Sequence, residues 1–215
     1  MVKIAILMGA YHEAARIGAT LEAHLPYVDG AYVVHDGPCS DESLYIARRL
    51  GANTLETAER EGYGDPVFDL ARQRALADGY DWGLILAPDQ RYTPTILKHM
   101  RELILECIAN GFVGIYMKVR TLLSGKLVRE DDQVRIIQLN KTRWYCIIHA
   151  GLDLVDPCLD ITDRTNMHLR HASLPLEPEK KARYLAVAKQ QLVQYPQWRE
   201  HLEAVIFQTE ATLCE

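Results

Sequence analysis

The first 110 residues alternate between two hydrophobic periodicities, and this alternation restricts the fold more than any other feature of the chain. Residues 2–8 are apolar except for one lysine, which is typical of a strand buried on both faces. The apolar residues from Ala14 to Leu25 then recur at three- and four-residue spacing, which predicts an amphipathic helix. Further strands are predicted at 31–34, 53–56 and 82–87, each followed by a helix. This order predicts an α/β fold with a mostly parallel central sheet flanked by helices.

The pattern changes after residue 111, where two hairpins are predicted. Their turns are Ser124-Gly125 and Asn140-Lys141-Thr142, and the acidic run 130–132 is predicted to be a break between strands. From Glu177 onward the spacing is helical, with an interruption at Tyr195-Pro196. We therefore expect antiparallel additions to the sheet and a helical C-terminus.

The chain has 215 residues, a length typical of one domain. We divide that domain into a ligand-binding half at 1–110, a second half at 111–175 and a helical tail at 176–215. The formal net charge of −5 argues against nucleic acid as a partner, because binding to phosphates needs a basic surface. Since no run of about 18 apolar residues is present, no transmembrane segment is expected. Basic residues of the tail can rest on anionic headgroups, so a peripheral membrane contact is possible, although a plain solvated helix face is the alternative.

The five cysteines are odd in number and widely spaced, without a Cys-x-x-Cys pair. Neither a disulfide framework nor a structural zinc site is therefore expected. The cysteine pattern favours a reducing, cytoplasmic location.

Chemistry is expected at the carboxyl ends of the parallel strands, which correspond to residues 9–13, 35–37 and 87–90. Neither a glycine-rich dinucleotide or P-loop motif nor a Gly-x-Ser-x-Gly elbow is present. Asp36 can accept a hydrogen bond from a base or a ribose, and Asp89 can hold a divalent cation that bridges a diphosphate. Both carboxylates can instead be simple turn residues, since Asp-Gly is a common turn and Asp89 follows a proline.

Three segments, taken in order, resemble the family 2 glycosyltransferases: residues 10–17, 33–41 and 82–89. Residues 134–137, His149-Ala150, His171 and the lysine-rich run 179–184 resemble, more loosely, the small lipopolysaccharide-core glucosyltransferase branch. The resemblance implies a GT-A-type fold and an inverting, metal-dependent transfer of a hexose from a nucleotide-diphospho-sugar to a hydroxyl. The acceptor is a glycan, a lipid-linked saccharide or a protein.

The resemblance also implies roles for individual residues. Ala10 and Tyr11 line the nucleoside pocket, Asp36 takes the base or ribose, and Arg72 faces the diphosphate. The nucleotide-sugar-binding set is then Ala10, Tyr11, Glu13, Asp36 and Arg72. Asp89 coordinates Mn²⁺ or Mg²⁺, and His171 can complete the metal shell as a neutral imidazole. His168 lies three residues from His171, a spacing that metal ligands can have, but one such pair is a weak signal.

The catalytic base is predicted within the densest acidic cluster, residues 130–132, with Asp131 ahead of Asp132. His149 ends a predicted strand that faces the acceptor and is the third catalytic candidate. The acidic cluster can equally be a solvated turn.

Several positions depart from the family pattern. His12 replaces an Asn, His35 replaces the first acid of an Asp-Asp pair, and Ala87 replaces the first acid of Asp-x-Asp. Ala150 stands where a Glu is usual. Two alternatives therefore remain open: a binding protein that has lost turnover, and a nucleotidyltransferase that makes a sugar nucleotide, although the latter usually has a Gly-rich, basic loop after strand one. The sequence does not predict the oligomeric state.

Overall fold

The central sheet is built from nine of the eleven described strands of the computed structural model, which describes residues 1–62, 64–144, 152–154, 157–164, 167–172 and 178–213. The strands are β1 Ile4–Ala10, β2 Gly30–His35, β3 Asn53–Glu56, β4 Trp82–Ile85, β5 Gln90–Tyr92, β6 Gly114–Leu123, β7 Lys126–Gln138, β8 Thr142–Trp144, β9 Leu152–Leu154, β10 Cys158–Asp160 and β11 His168–Ala172. The helices are α1 Ala14–His24, α2 Ser43–Arg49, α3 Gly64–Ala77, α4 Pro94–Asn110, α5 Pro178–Gln194 and α6 Arg199–Leu213.

Strand β1 is buried on both faces, as its continuous apolar run predicts. Ile4, Ile6 and Met8 belong to one core with α1, α2 and α4, whereas Ala5 and Leu7 belong to a second core with α3. Successive side chains of a strand point to opposite faces, so one strand contributes to both cores. The predicted α/β fold with helices on both faces of the sheet is confirmed.

The sheet order is β3-β2-β1-β4-β7-β6-β11-β5, with β10 also paired to β6. The pairs among β1 to β4 are parallel, whereas β7 runs antiparallel to both β4 and β6. Only four residues separate β5 from β4 in the chain. In the sheet, however, β5 pairs with β11, which is the third strand after β4 in the order given above. The Tyr92 hydroxyl nevertheless donates to the Ile85 carbonyl at 2.8 Å. The sheet therefore curls, and β5 returns to the carboxyl end of β4.

The predicted hairpin at Ser124-Gly125 is present between β6 and β7, and both turn residues have positive φ, 50° and 78°. The predicted break at 130–132 is wrong, because these acids lie inside the continuous strand β7. Cross-strand cations explain this: Glu130 is 2.6 Å from Arg120, and Asp132 is 3.3 Å from Lys118.

The second predicted hairpin forms differently. Strand β8 pairs antiparallel with β9 instead of folding back on the strand before it. At the C-terminus, α5 and α6 pack against each other through a small core containing Ala188, Leu202 and Val205. The predicted interruption at Tyr195-Pro196 separates them. Within the described ranges, no helix is both long and apolar enough to cross a bilayer.

Candidate active site

The candidate site lies at the carboxyl ends of β1, β2 and β4, where sequence analysis places it. In the β1–β2 register Ala10 pairs with His35, and the Asp36 amide donates to the Ala10 carbonyl at 2.9 Å. The parallel pairing therefore brings Ala10, Tyr11 and Asp36 to one edge of the sheet.

The Asp36 carboxylate is buried beneath the loop that follows β3. One oxygen accepts a hydrogen bond from the Glu61 amide at 2.6 Å and the other from the Gly62 amide at 3.0 Å. The Arg60 Nε lies 3.9 Å from the same carboxylate. Asp36 thus holds residues 60–62, here called the cap loop, over the end of β2.

The ring of Tyr11 is covered by the same loop. The central guanidinium carbon of Arg60 lies 3.2 Å from the ring centroid, a cation–π contact. Helix α5 approaches from outside, because the side chain of Arg183 packs directly on Gly62. Burial lowers the pKa of Arg60, and the charge of Arg183 lowers it further. The C-terminal helix therefore contacts the cap loop from outside.

His12 and His35, near the ends of β1 and β2, have structural contacts. His35 is fully buried, its Nδ1 lies 2.8 Å from the Gly37 carbonyl, and its Nε2 is 3.4 Å from the His12 amide. Because the His12 amide is a donor, Nε2 accepts and Nδ1 carries the hydrogen. His12 itself has a φ of 54°, in the left-handed region. The His35 imidazole therefore connects the end of β1 to the end of β2.

Asp41 connects the start of α1 to the start of α2. Its carboxylate accepts hydrogen bonds from the Ser43 amide, the Ser43 hydroxyl and the Ala14 amide, at 3.0, 2.8 and 3.3 Å. The Glu13 amide in turn donates to the Ser43 hydroxyl at 2.8 Å. Cys39, His35 and Asp41 place ligand atoms within 4.8 Å of one another, but the nitrogens of His35 and the oxygens of Asp41 are already hydrogen-bonded. We therefore interpret this group as structural.

Asp89 and His171 meet at the end of β4, as the sequence predicts for a shared site. Asp89 Oδ2 lies 3.0 Å from His171 Nε2, because β11 pairs with β5 so that His171 is opposite Gln90. Burial raises the pKa of Asp89, but the hydrogen bond and charge of His171 outweigh it, so the net shift is downward. His168 is buried beside Thr93, whose hydroxyl lies 3.4 Å from the His168 amide.

Arg135 lies beside Ile85 at the end of β4 and was not predicted from the sequence as a site residue. The register between β6 and β7 shifts at this point: Ile115 pairs with Ile136 and Tyr116 with Val134, so Arg135 is the extra residue of a β-bulge. The Tyr92 hydroxyl holds the bulge by donating to the Arg135 carbonyl at 3.1 Å. The sequence feature that could have indicated this residue is one basic side chain inside the apolar run 134–137.

The surroundings of Asp89 fit a divalent cation poorly. Asp89 and His171 offer one carboxylate and one imidazole, and Ala87 offers no ligand. The charge of Asp89 acts on Arg91 and on Arg135, and Arg16 acts on Asp89. A cation bound to Asp89 would be repelled by these guanidinium groups. The expectation of Mn²⁺ or Mg²⁺ stays a prediction.

The structure separates the other predicted site residues. Arg72 donates to Asp69 at 2.7 Å and to the Leu139 carbonyl at 3.0 Å, so its guanidinium holds α3 against the end of β7. Asp131 pairs with Arg129 at 2.7 Å on one face of β7, and Asp132 lies on the other. His149 and Ala150 lie outside the described residues. The Glu13 carboxylate is 4.0 Å from Arg16.

Comparison with solved structures identifies the fold as that of the GT-A glycosyltransferases. The crystal structure of Staphylococcus aureus TarS 1–349 in complex with UDP matches with a TM-score of 0.57 and 14% identity, over 89% of this chain and 66% of that one. The TarS 1–349 complex with UDP-GlcNAc matches with a TM-score of 0.57 and 13% identity, over 89% and 67%. Another crystal structure of TarS, which is longer than the 1–349 fragment, matches with a TM-score of 0.57 and 12% identity, over 89% of this chain and 40% of that one.

The chain therefore spans 40% of the longer TarS chain and about two thirds of the 1–349 fragment. No protein-family model and no curated protein matches this sequence.

Proposed function

We propose that this protein transfers a hexose from a nucleotide-diphospho-sugar to a hydroxyl acceptor. One observation carries the proposal: Tyr11, Asp36 and Asp89, chosen from the sequence, lie at the carboxyl ends of β1, β2 and β4 in a GT-A fold. That edge of the sheet is where ligands of open α/β sheets bind. The TarS complexes with UDP and UDP-GlcNAc support a sugar nucleotide as the donor.

In this proposal Ala10, Tyr11 and Asp36 form the nucleoside pocket, with Glu13 at its rim. The base stacks on the Tyr11 ring and the ribose or base donates to the Asp36 carboxylate. Since the cap loop now occupies both groups, donor binding requires residues 60–62 to move away. The role of Arg72 toward the diphosphate stays a proposal, and it would require exchange of its bond to Asp69 or Leu139.

The reaction is a displacement at the anomeric carbon with inversion. The acceptor oxygen forms a bond to that carbon while the bond to the diphosphate oxygen breaks, and the electron pair leaves with the nucleoside diphosphate. A carboxylate takes the hydroxyl proton. We assign this role to Asp131 rather than Asp132. The two side chains lie on opposite faces of β7, and the charge of Asp131 acts on Arg135, on which the charge of Asp89 also acts. Positive groups around Asp89 stabilise the leaving diphosphate.

In this proposal the acceptor is a glycan, a lipid-linked saccharide or a protein, and the resemblance to the small lipopolysaccharide-core glucosyltransferase branch stays a prediction. A cytoplasmic location and a peripheral membrane contact through the helical tail remain part of this proposal. Oligomeric state does not enter it.

A thermal-shift panel of UDP, GDP, dTDP and CMP, with and without Mn²⁺, tests donor binding. One nucleoside diphosphate is expected to raise the melting temperature of the protein, and Asp36→Ala should abolish that shift. Asp81→Ala is the matched control, because Asp81 lies at the start of β4, on the opposite edge of the sheet. Sugar release from the donor then separates a transferase from a binding protein, and pyrophosphate release from a nucleoside triphosphate would indicate a nucleotidyltransferase. If no nucleotide shifts the melting temperature, the proposed function is wrong.

A further inference from the structure

Arg135 is a partly exposed residue whose guanidinium lacks a full set of hydrogen-bond partners. Its Nη2 donates to the Gln133 side chain at 2.5 Å, whereas its buried Nε has no hydrogen-bond partner. An unpaired charged donor inside a protein is costly, because it has lost water without gaining an acceptor. Such a group is explained when a ligand supplies the missing acceptor.

The position of Arg135 is specified by the sheet. Leu84 pairs with Ile136 across β4 and β7, so the next antiparallel position places Arg135 beside Ile85, the last residue of β4. Tyr92 joins the two by donating to the carbonyls of Ile85 and Arg135, at 2.8 and 3.1 Å. A bulge at this point re-aims the side chain, as bulges near active sites commonly do.

The two carboxylates whose charges act on Arg135 have other partners of their own. Burial lowers the pKa of the Arg135 guanidinium, against which the charges of Tyr92, Asp89 and Asp131 act. Asp131 is already paired with Arg129, and Asp89 with His171. Since neither carboxylate forms an ion pair with Arg135, its guanidinium can accept an anion at the end of β4.

We propose that Arg135 binds the diphosphate of the donor directly and without a divalent cation. This inference deepens the proposed function and rests on it for the identity of the ligand. Arg135 would then supply the charge that a metal held by an Asp-x-Asp pair supplies elsewhere, which explains why Ala87 can replace the first acid. A guanidinium offers Nε and Nη donors in the planar geometry that suits phosphate oxygens.

The test is binding of inorganic pyrophosphate and of UDP, measured by calorimetry in EDTA and again in Mn²⁺. Wild-type protein is expected to bind pyrophosphate in EDTA, and Arg135→Gln should weaken that binding by about tenfold or more, the loss of one charged hydrogen-bonding group. Arg135→Lys should recover part of it. Arg74→Gln is the control, because it removes an arginine from the exposed face of α3 and should change nothing.

If the Arg135 variants fail to fold, the wild-type protein is used instead. Phenylglyoxal modifies Arg135, and mass spectrometry shows whether pyrophosphate protects it from this modification. Protection in EDTA supports the inference, and its absence overturns it. If UDP and pyrophosphate bind only with Mn²⁺, the inference fails while the proposed function stands. If pyrophosphate binds in EDTA but no nucleotide binds at all, the anion site stands and the proposed function fails.

Discussion

The guanidinium of Arg60 lies over the ring of Tyr11, with 3.2 Å between its central carbon and the ring centroid. A nucleotide base cannot enter between them, since stacking needs that same distance on each face of the base. Arg60 therefore competes with the base for Tyr11.

Removing Arg60 should favour nucleotide binding. We expect Arg60→Ala to tighten binding of the accepted nucleoside diphosphate about two- to fivefold, the loss of an exposed cation–π contact. Calorimetric titration measures this. Arg49→Ala is the control, since Arg49 lies over the Tyr45 ring at 5.9 Å, away from the site. Weaker binding by Arg60→Ala would mean that Arg60 contacts the nucleotide rather than replacing it.

Asp131 and Asp132 should differ in their effect on transfer. Asp131→Asn removes the carboxylate proposed as base and should lower the transfer rate by about a hundredfold or more, with little change in donor binding. Asp132→Asn removes only an ion pair to Lys118 at 3.3 Å and should lower the rate far less. Initial rates with a saturating donor give both values. Equal losses in the two variants would contradict the assignment of the base.

His24 should make stability depend on pH. Its Nε2 accepts from the Tyr92 amide at 3.1 Å, and its Nδ1 donates to the Thr20 carbonyl at 2.7 Å. Burial lowers the pKa of His24, the Thr20 bond raises it less, and the charge of Arg91 lowers it again. Only the unfolded chain then takes up a proton below pH 6.5, so this contribution to stability is complete above that pH and decreases as the pH falls.

Urea unfolding should show that the free energy of unfolding is lower at pH 5.5 than at pH 7.5, and His24 should account for about 1 kcal/mol of this decrease. His24→Gln, which keeps a donor and an acceptor, should reduce the loss. His99→Gln is the control, because His99 is exposed beside Glu102. An unchanged pH dependence in His24→Gln would show that other groups cause it.

Asp41 should stabilise the junction of α1 and α2. Burial raises the pKa of Asp41, but hydrogen bonds from Ser43, Ala14 and Cys39 outweigh it and lower the pKa to about 2. Asp41→Asn should cost about 1–3 kcal/mol of unfolding free energy at pH 7, since charged hydrogen bonds are replaced by neutral ones. Denaturant unfolding measures the difference.

The pH dependence of that difference has a defined sign. The wild-type carboxylate contributes fully above pH 3.8 and loses its contribution as the pH falls toward 2. The difference in unfolding free energy between wild type and Asp41→Asn should therefore become smaller over that range. Asp163→Asn is the control, because Asp163 is exposed, and its unfolding free energy should equal that of the wild type. A difference in unfolding free energy that does not change with pH would show that packing, rather than the charge of Asp41, causes the effect.

The parallel half of the fold could be predicted because its signals are local. Apolar runs, helical spacing and the Ser124-Gly125 turn each report on a few neighbouring residues. The continuity of β7 could not be predicted, since Glu130 and Asp132 are tolerated in a strand only because Arg120 and Lys118 lie opposite.

The site could be predicted only where strand ends define it. Asp36 and Asp89 follow strands, and their position is a consequence of parallel pairing. Arg60, Arg135 and Arg183 were missed because their roles depend on long-range contacts. The bulge that displays Arg135 arises from the register of β6 and β7, and Arg183 reaches Gly62 from a helix 121 residues later in the chain.

The four residues 86–89 join two strands that occupy different places in one curled sheet. From Ile85 to Gln90 there are five Cα–Cα steps, a reach of about 19 Å at most. An inserted or deleted residue would change the stagger of β5 against β11 and move Asp89 relative to His171 at the same time. The spacing between the two strands, rather than any side chain of the bridge, therefore determines where the Asp89 carboxylate meets the His171 imidazole.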